Sequence, residues 1–193
     1  MIKLEVGPRT WDDAAALAAY KIDQKRKDGV KHPFADEEEL LNDLRCGFDE
    51  FLFYAYGLEV KELDVAVISE FFMAFAILVL DLIPHYDNAE YHTYVQKAEE
   101  VLPLLLKKQM DYGYENISRF GLDGVYVRMH DKIARIENIT DQQRIEHKWD
   151  PYCEPLVDSF LDLIGYCIIG IMEVLGMWRL PLKAHLLDHP AGS

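Results

Sequence analysis

The chain reads as an all-α helical bundle. Apolar residues recur with helical rather than alternating period along nearly every long segment, and cap and stop residues bracket those segments. Only Lys3 to Val6 alternates in the manner of a strand. Half of the 193 residues are hydrophobic and 12% are aromatic, which is enough for a large core and excludes a disordered chain.

The first helix is expected over Trp11 to Lys27, with Thr10 as cap and Asp12 and Asp13 in the first turn. Gly29 closes it, and His32-Pro33 breaks the chain. A second helix spans Asp36 to Tyr56. Asp36 caps it, three glutamates fill its start, and Leu40, Leu41, Leu44, Phe48, Phe51 and Leu52 are its apolar positions. The third runs from Leu63 to Ile83 and is stopped by Pro84. Its apolar stretch, Phe71 to Leu80, is ten residues long between Glu70 and Asp81, too short to span a bilayer and suited to burial on most sides.

Asn88 to Met110 follows as a long helix bent near Pro103. Asp111 to Asn116 has loop chemistry, and Gly121 and Gly124 flank a turn before a helix from Val125 to Ile139. Thr140 to Pro151 is polar and reads as a loop or short helix. The last strong helix runs from Pro155 to Leu175 and ends near Gly176. The organisation expected is an N-terminal helical region over 1–100 packed on a second helical domain over 101–180, with a flexible tail over 181–193.

A formal net charge of −14 argues against binding a nucleic-acid polymer, which needs basic patches. It leaves room for a small nucleotide held by a few local cations. Cys46, Cys153 and Cys167 are odd in number and lack metal spacing, so they read as free thiols in a reducing, cytoplasmic setting. The N-terminus has no apolar core of signal-peptide length, and no membrane partner is expected. His85, His92, His185 and His189 form no zinc motif.

Three constellations could carry chemistry. Glu154, Asp158 and Asp162 recur every four residues in an apolar segment, so they form one stripe on a helix. Like charges at that spacing repel, and a divalent cation would offset the cost. The plainer alternative is that Glu154, beside Pro155, complements the helix dipole. Gly165 lies on the same face and leaves room for a ligand or a neighbouring backbone. Arg128, Asp131, Lys132 and Arg135 share one side of a helix; they could clamp phosphates or form a solvated face of ion pairs. Lys108 precedes the Tyr112-Gly113 turn and Asn116, which suit base stacking and hydrogen bonding, or a helix end with Gly113 left-handed.

Taken in order, Lys108, Tyr112-Gly113 and Asn116, then Arg128-x-x-Asp131-Lys132-x-x-Arg135, then Glu154-x-x-x-Asp158-x-x-x-Asp162 and Tyr166, resemble the nucleotide-modification-associated domain 1 family common in bacteriophages. The resemblance covers about residues 104 to 178. That family is similar to the all-α nucleotide pyrophosphohydrolases of the MazG and dimeric dUTPase group, whose carboxylates on two helices surround Mg²⁺. This chain departs from their pattern, with no paired glutamates after Val125 and carboxylate steps of four rather than three.

The resemblance implies hydrolysis of a (deoxy)nucleoside triphosphate to monophosphate and pyrophosphate with Mg²⁺, or Mn²⁺ in its place. Asp158, Asp162, Glu154 and Asp131 would be the metal ligands. Arg128, Lys132 and Arg135 would be the catalytic cations beside Asp131. Lys108, Tyr112, Asn116 and Tyr166 would bind substrate. The other reading is a non-catalytic nucleotide- or protein-binding module. In it Phe48, Phe51, Phe53, Tyr54 and Tyr56 would form a partner surface or the interface of a homodimer or higher oligomer, unless they are core. Another phosphoryl-transfer step, such as a nucleotide kinase, ranks below both, because no Gly-rich phosphate loop of the Walker type is present.

Overall fold

The computed structural model describes residues 7–28, 36–57, 64–86, 93–146 and 156–183, and over these the chain is all-α. The helices are α1 (Trp11–Lys27), α2 (Glu37–Gly57), α3 (Val65–Tyr86), α4 (Thr93–Tyr112), the short α5 (Glu115–Ser118), α6 (Leu122–Glu146) and α7 (Leu156–Val174). Lys3 to Val6, Gly29, His32-Pro33, Cys153, Glu154 and the tail from residue 184 lie outside the described residues.

The helix ends follow the local chemistry. Thr10 Oγ1 accepts from the Asp13 amide at 3.2 Å, and Asp36 Oδ1 accepts from the Glu39 amide at 2.8 Å, so each cap satisfies a donor the helix leaves unpaired. At the end of α4, Gly113 takes φ +66° and its amide donates to the Gln109 carbonyl. At the end of α7, Gly176 takes φ +68°; its amide reaches Glu173 O, and the Met177 amide reaches Met172 O at 2.7 Å. That pairing is a Schellman motif, which requires a left-handed residue and favours glycine.

Several boundaries differ from the sequence reading: α4 runs on to Tyr112 and α5 covers Glu115–Ser118 where a loop is expected, and the largest shifts are in α3 and α6. α3 continues through Pro84 to Tyr86. Proline so late in a helix forfeits one backbone bond, and Tyr86 is held from outside: its hydroxyl donates to Glu37 at 2.6 Å and its ring lies 5.3 Å from that of Phe160. α6 begins at Leu122 and extends past Ile139 to Glu146. Its buried face runs on from Ile136 to Thr140, whose hydroxyl donates to the Ile136 carbonyl at 2.9 Å instead of seeking a tertiary partner.

α3 is the central helix. It packs most extensively against α7, and also against α2 and α1. Phe72, the run Phe75 to Leu80, Leu82 and Ile83 are all buried. By length and hydropathy α3 could cross a membrane, although the ten-residue run alone suggested otherwise; its packing against α7, α2 and α1 buries 56% of its most apolar stretch. Phe51 stacks on Phe71 and meets Tyr126 edge-on, so Phe48 and Phe51 belong to the core while Phe53 and Tyr56 face outward. The Tyr56 hydroxyl donates to Asp123 at 2.5 Å, and burial together with that carboxylate pushes its pKa up to about 12.

One continuous hydrophobic cluster joins the N-terminal helices to α4, α6 and α7. A half-buried Arg26–Asp81 ion pair at 3.1 Å links α1 to α3. The chain beyond α7 returns to the start of α1, where the Trp11 amide donates to the Pro181 carbonyl at 2.8 Å and the Trp11 and Trp178 rings meet edge-on at 5.8 Å.

The α3–α7 contact is made possible by Gly170. A Cβ there would fall 2.3–2.5 Å from atoms of the Phe72 ring. Gly170→Ala is therefore expected to destabilise the protein by about 1–3 kcal/mol through overpacking, despite alanine's better helix propensity. Urea denaturation measures this, and an unchanged or higher midpoint would contradict so close an approach.

Candidate functional site

α4, α6 and α7 enclose a cavity of about 390 Å³, within the size range of small-ligand sites. α4 supplies Val101, Leu105, Lys108, Gln109 and Tyr112, all within one helical face. α6 supplies Arg128 and Lys132, one turn apart, and α7 supplies Leu161, Asp162, Gly165, Tyr166 and Ile169. Asn116, Ile117 and Trp178 complete the wall from the chain beyond α4 and α7. Gly165 brings α4 close: a Cβ there would lie 3.1 Å from Leu105, so the space left by this glycine is filled by a neighbouring side chain.

The charged part of the cavity is organised around Asp162. Lys108 Nζ donates to Oδ1 and Lys132 Nζ approaches Oδ2, each at 2.7 Å, so one carboxylate joins α4 and α6 to α7. The Asp162 side chain is 18% exposed, against 41% for Lys108 and 23% for Lys132. Burial works to raise the Asp162 pKa, but the two lysine hydrogen bonds and their charges override it and hold the carboxyl below the usual aspartate value. The Tyr166 hydroxyl is pushed up, first by burial and then by the nearby Asp162 charge. Arg128 also lines the cavity and forms no ion pair among the described residues. Three cations around one carboxylate leave a local positive excess inside a chain of net charge −14.

The remainder of the wall is aromatic and amide-bearing. Trp178 is fixed by its ring N–H, which donates to the Tyr114 carbonyl at 3.3 Å, while the Tyr114 hydroxyl donates to the Leu180 carbonyl at 3.0 Å. Tyr112 and Asn116 are exposed at the mouth. Gln109 is 4% exposed, and its side-chain nitrogen is buried with no hydrogen-bond partner. An unmatched buried donor of that kind costs about 1–3 kcal/mol.

Of the residues singled out in the sequence, Lys108, Tyr112, Asn116, Arg128, Lys132, Asp162 and Tyr166 come together around this cavity. Asp131, Arg135 and Asp158 do not line it. Asp131 is exposed, about 100° around α6 from Lys132. Arg135 is about 10 Å along the helix axis from Arg128, and Asp158 is exposed one turn before Asp162. Glu154 lies outside the described residues.

Of the expected metal ligands that lie among the described residues, Asp162 lines the cavity and Asp131 and Asp158 do not. Asp162 is the one carboxylate in the cavity wall, and both its oxygens are engaged by ammoniums. Among the described residues, no three His, Cys, Asp or Glu side chains gather. Mg²⁺ is commonly held by one or two carboxylates together with substrate phosphate oxygens and waters; among the described residues the cavity wall would supply Asp162 to such a set.

Gln109 and Trp178 were missed by sequence reasoning. Gln109 did leave a signal: it interrupts the stripe Val101, Leu105, Gln109 with a polar side chain at a core position. Trp178 left none, because only the return of the chain after Gly176 brings it to α4. Compared with protein-family models, curated proteins and solved structures, the chain matches none.

A carboxyl whose folded pKa lies below its unfolded value contributes stability above the unfolded value and loses it as pH falls through the folded one. Asp162→Asn is expected to lower stability at pH 7 by about 1–3 kcal/mol, since it removes charge-assisted hydrogen bonds and leaves two ammoniums facing each other. The difference from wild type should begin to shrink as pH falls below about 4, where the aspartate of the unfolded chain protonates, and go on shrinking as pH falls through the lower folded value. Denaturation curves across pH would show this, and a pH-independent difference would contradict the Lys–Asp–Lys arrangement.

Proposed function

We propose that this cavity binds a nucleoside phosphate. The observation that carries the reading is the Lys108–Asp162–Lys132 cluster, with Arg128 beside it, on a wall that also presents Tyr112, Tyr166 and Trp178. Two ammoniums held 2.7 Å from one internal carboxylate are already placed to bracket an anion. A phosphate brings more negative charge and more acceptor oxygens than a single carboxylate, so it can recruit both lysines and the arginine. From Asp162 to Ile169 the lining advances about 10 Å along α7, changing from charged to apolar as the end groups of a nucleotide do. The local positive excess within an acidic surface would draw a small anionic ligand into the cleft and leave a polyanionic backbone repelled.

Hydrolysis of a bound triphosphate to monophosphate and pyrophosphate, as the family resemblance implies, is the second reading. It is favoured by the presence of Asp162 among the phosphate-binding cations.

Isothermal titration with nucleoside triphosphates and with inorganic tripolyphosphate tests the binding reading. Lys108→Ala and Lys132→Ala are each expected to weaken binding about tenfold, or about 1.4 kcal/mol. Affinity unaffected by both substitutions would overturn the assignment. Pyrophosphate release from each dNTP with Mg²⁺ or Mn²⁺ tests the second reading. Tight binding without release under either ion leaves the protein as a nucleotide-binding module.

A further inference from the structure

Lys108 and Lys132 come from different helices, yet their ammoniums close on the two oxygens of Asp162, each at 2.7 Å. In the free protein that carboxylate stands where the two heads converge, which is also where they would meet a phosphate. Arg128 lines the same cavity one turn from Lys132, about 6 Å along the α6 axis. A second anion brought into the cluster must take the ammoniums from Asp162 or share them with it. Taking them strands a mostly buried carboxylate, which is costly. Sharing them, as an ammonium's three donors permit, sets two like charges against each other at short range. Asp162 opposes the incoming anion either way. An external carboxylate would exchange one carboxylate for another, with no gain to offset the ordering that binding costs. A chain of two or three phosphates brings several charges and can run from the lysine pair towards Arg128. A single phosphate brings fewer and meets fewer cations at once.

Resting on the nucleoside-phosphate reading, we infer that Asp162 is an internal counter-anion that fills the phosphate subsite of the free protein and sets its specificity. The substrate class is then a nucleoside di- or triphosphate, with monophosphates and small carboxylates disfavoured. This role is opposite to that of a residue that holds the ligand. Removing the Asp162 charge loosens two lysine side chains, which then cost more to order on binding. It also removes a negative charge facing a multiply charged ligand in a half-buried cleft, and that effect is the larger. One substitution thus weakens the fold and strengthens binding, a combination that a purely structural residue does not produce.

The test is titration of the full chain with orthophosphate and tripolyphosphate, without divalent ions, for the wild type, Asp162→Asn and Asp162→Glu. Wild-type protein is expected to bind tripolyphosphate at least about tenfold more tightly than orthophosphate. Asp162→Asn should bind tripolyphosphate about tenfold more tightly than the wild type does. Asp162→Glu, which keeps the charge, should show no such gain. Asp162→Ser, which also removes the charge, should show the gain if the asparagine variant fails to fold. Unchanged or weaker tripolyphosphate binding by a folded, uncharged variant overturns the counter-anion role while leaving the phosphate site standing. An equal gain in Asp162→Glu overturns it too. Equal wild-type affinity for orthophosphate and tripolyphosphate overturns the di- and triphosphate class. Failure of wild type and variants alike to bind tripolyphosphate or any nucleoside triphosphate overturns the underlying reading as well.

Discussion

The site depends on one carboxylate held between two ammoniums. Asp162 is mostly buried, and an isolated buried charge is costly enough that such a group normally protonates or finds partners. Here Lys108 and Lys132 supply the partners from two other helices, and their long stems let both heads meet at one point. The cluster therefore ties α4 and α6 to α7. It also gathers, in a strongly acidic protein, a small region of positive charge. On the proposed nucleoside-phosphate reading, the stabilising partners of Asp162 are the groups an incoming phosphate would use.

That cluster can be placed accurately because the helices carrying it are anchored elsewhere. α7 is pressed against α3 where Gly170 admits the Phe72 ring, and against α4 where Gly165 admits Leu105. α6 is held from its other side by Tyr126 within the Phe51 and Phe72 aromatic group and by the Arg45–Glu137 ion pair to α2. The N-terminal helices are thus part of the same core as the site, and their aromatic density is explained first by packing. Close-packed interiors resist small displacements, so the lysine heads converge on a rigid scaffold, while the exposed Tyr112 and Asn116 leave the mouth open.

Much of the architecture was legible along the chain because helices are specified locally. Thr10, Asp36, Gly113 and Gly176 mark ends through hydrogen bonds and backbone angles that involve only near neighbours. The errors have tertiary causes. Pro84 failed to stop α3 because Glu37 and Phe160 hold Tyr86 in place, and α6 ran past Ile139 because its buried face continues. Helical period likewise grouped Lys108 with Tyr112, and Arg128 with Lys132, onto common faces.

The sequence by itself determined that the chain is helical, where most helices begin, and which short segments carry the cations, aromatics and carboxylates. Only the tertiary structure decided what those groups do to each other. The four-residue spacing of Glu154, Asp158 and Asp162 suggested a shared metal, since periodicity records the direction of a side chain but not what faces it. Packing gave Asp162 two lysines, left Asp158 exposed, and turned Asp131 away from the cleft. It also brought Gln109 and Trp178 into the wall, where nothing local could have put them together. Charge partnership is a property of distances between helices, and those are set by how Gly165, Gly170 and the aromatic core allow the helices to meet.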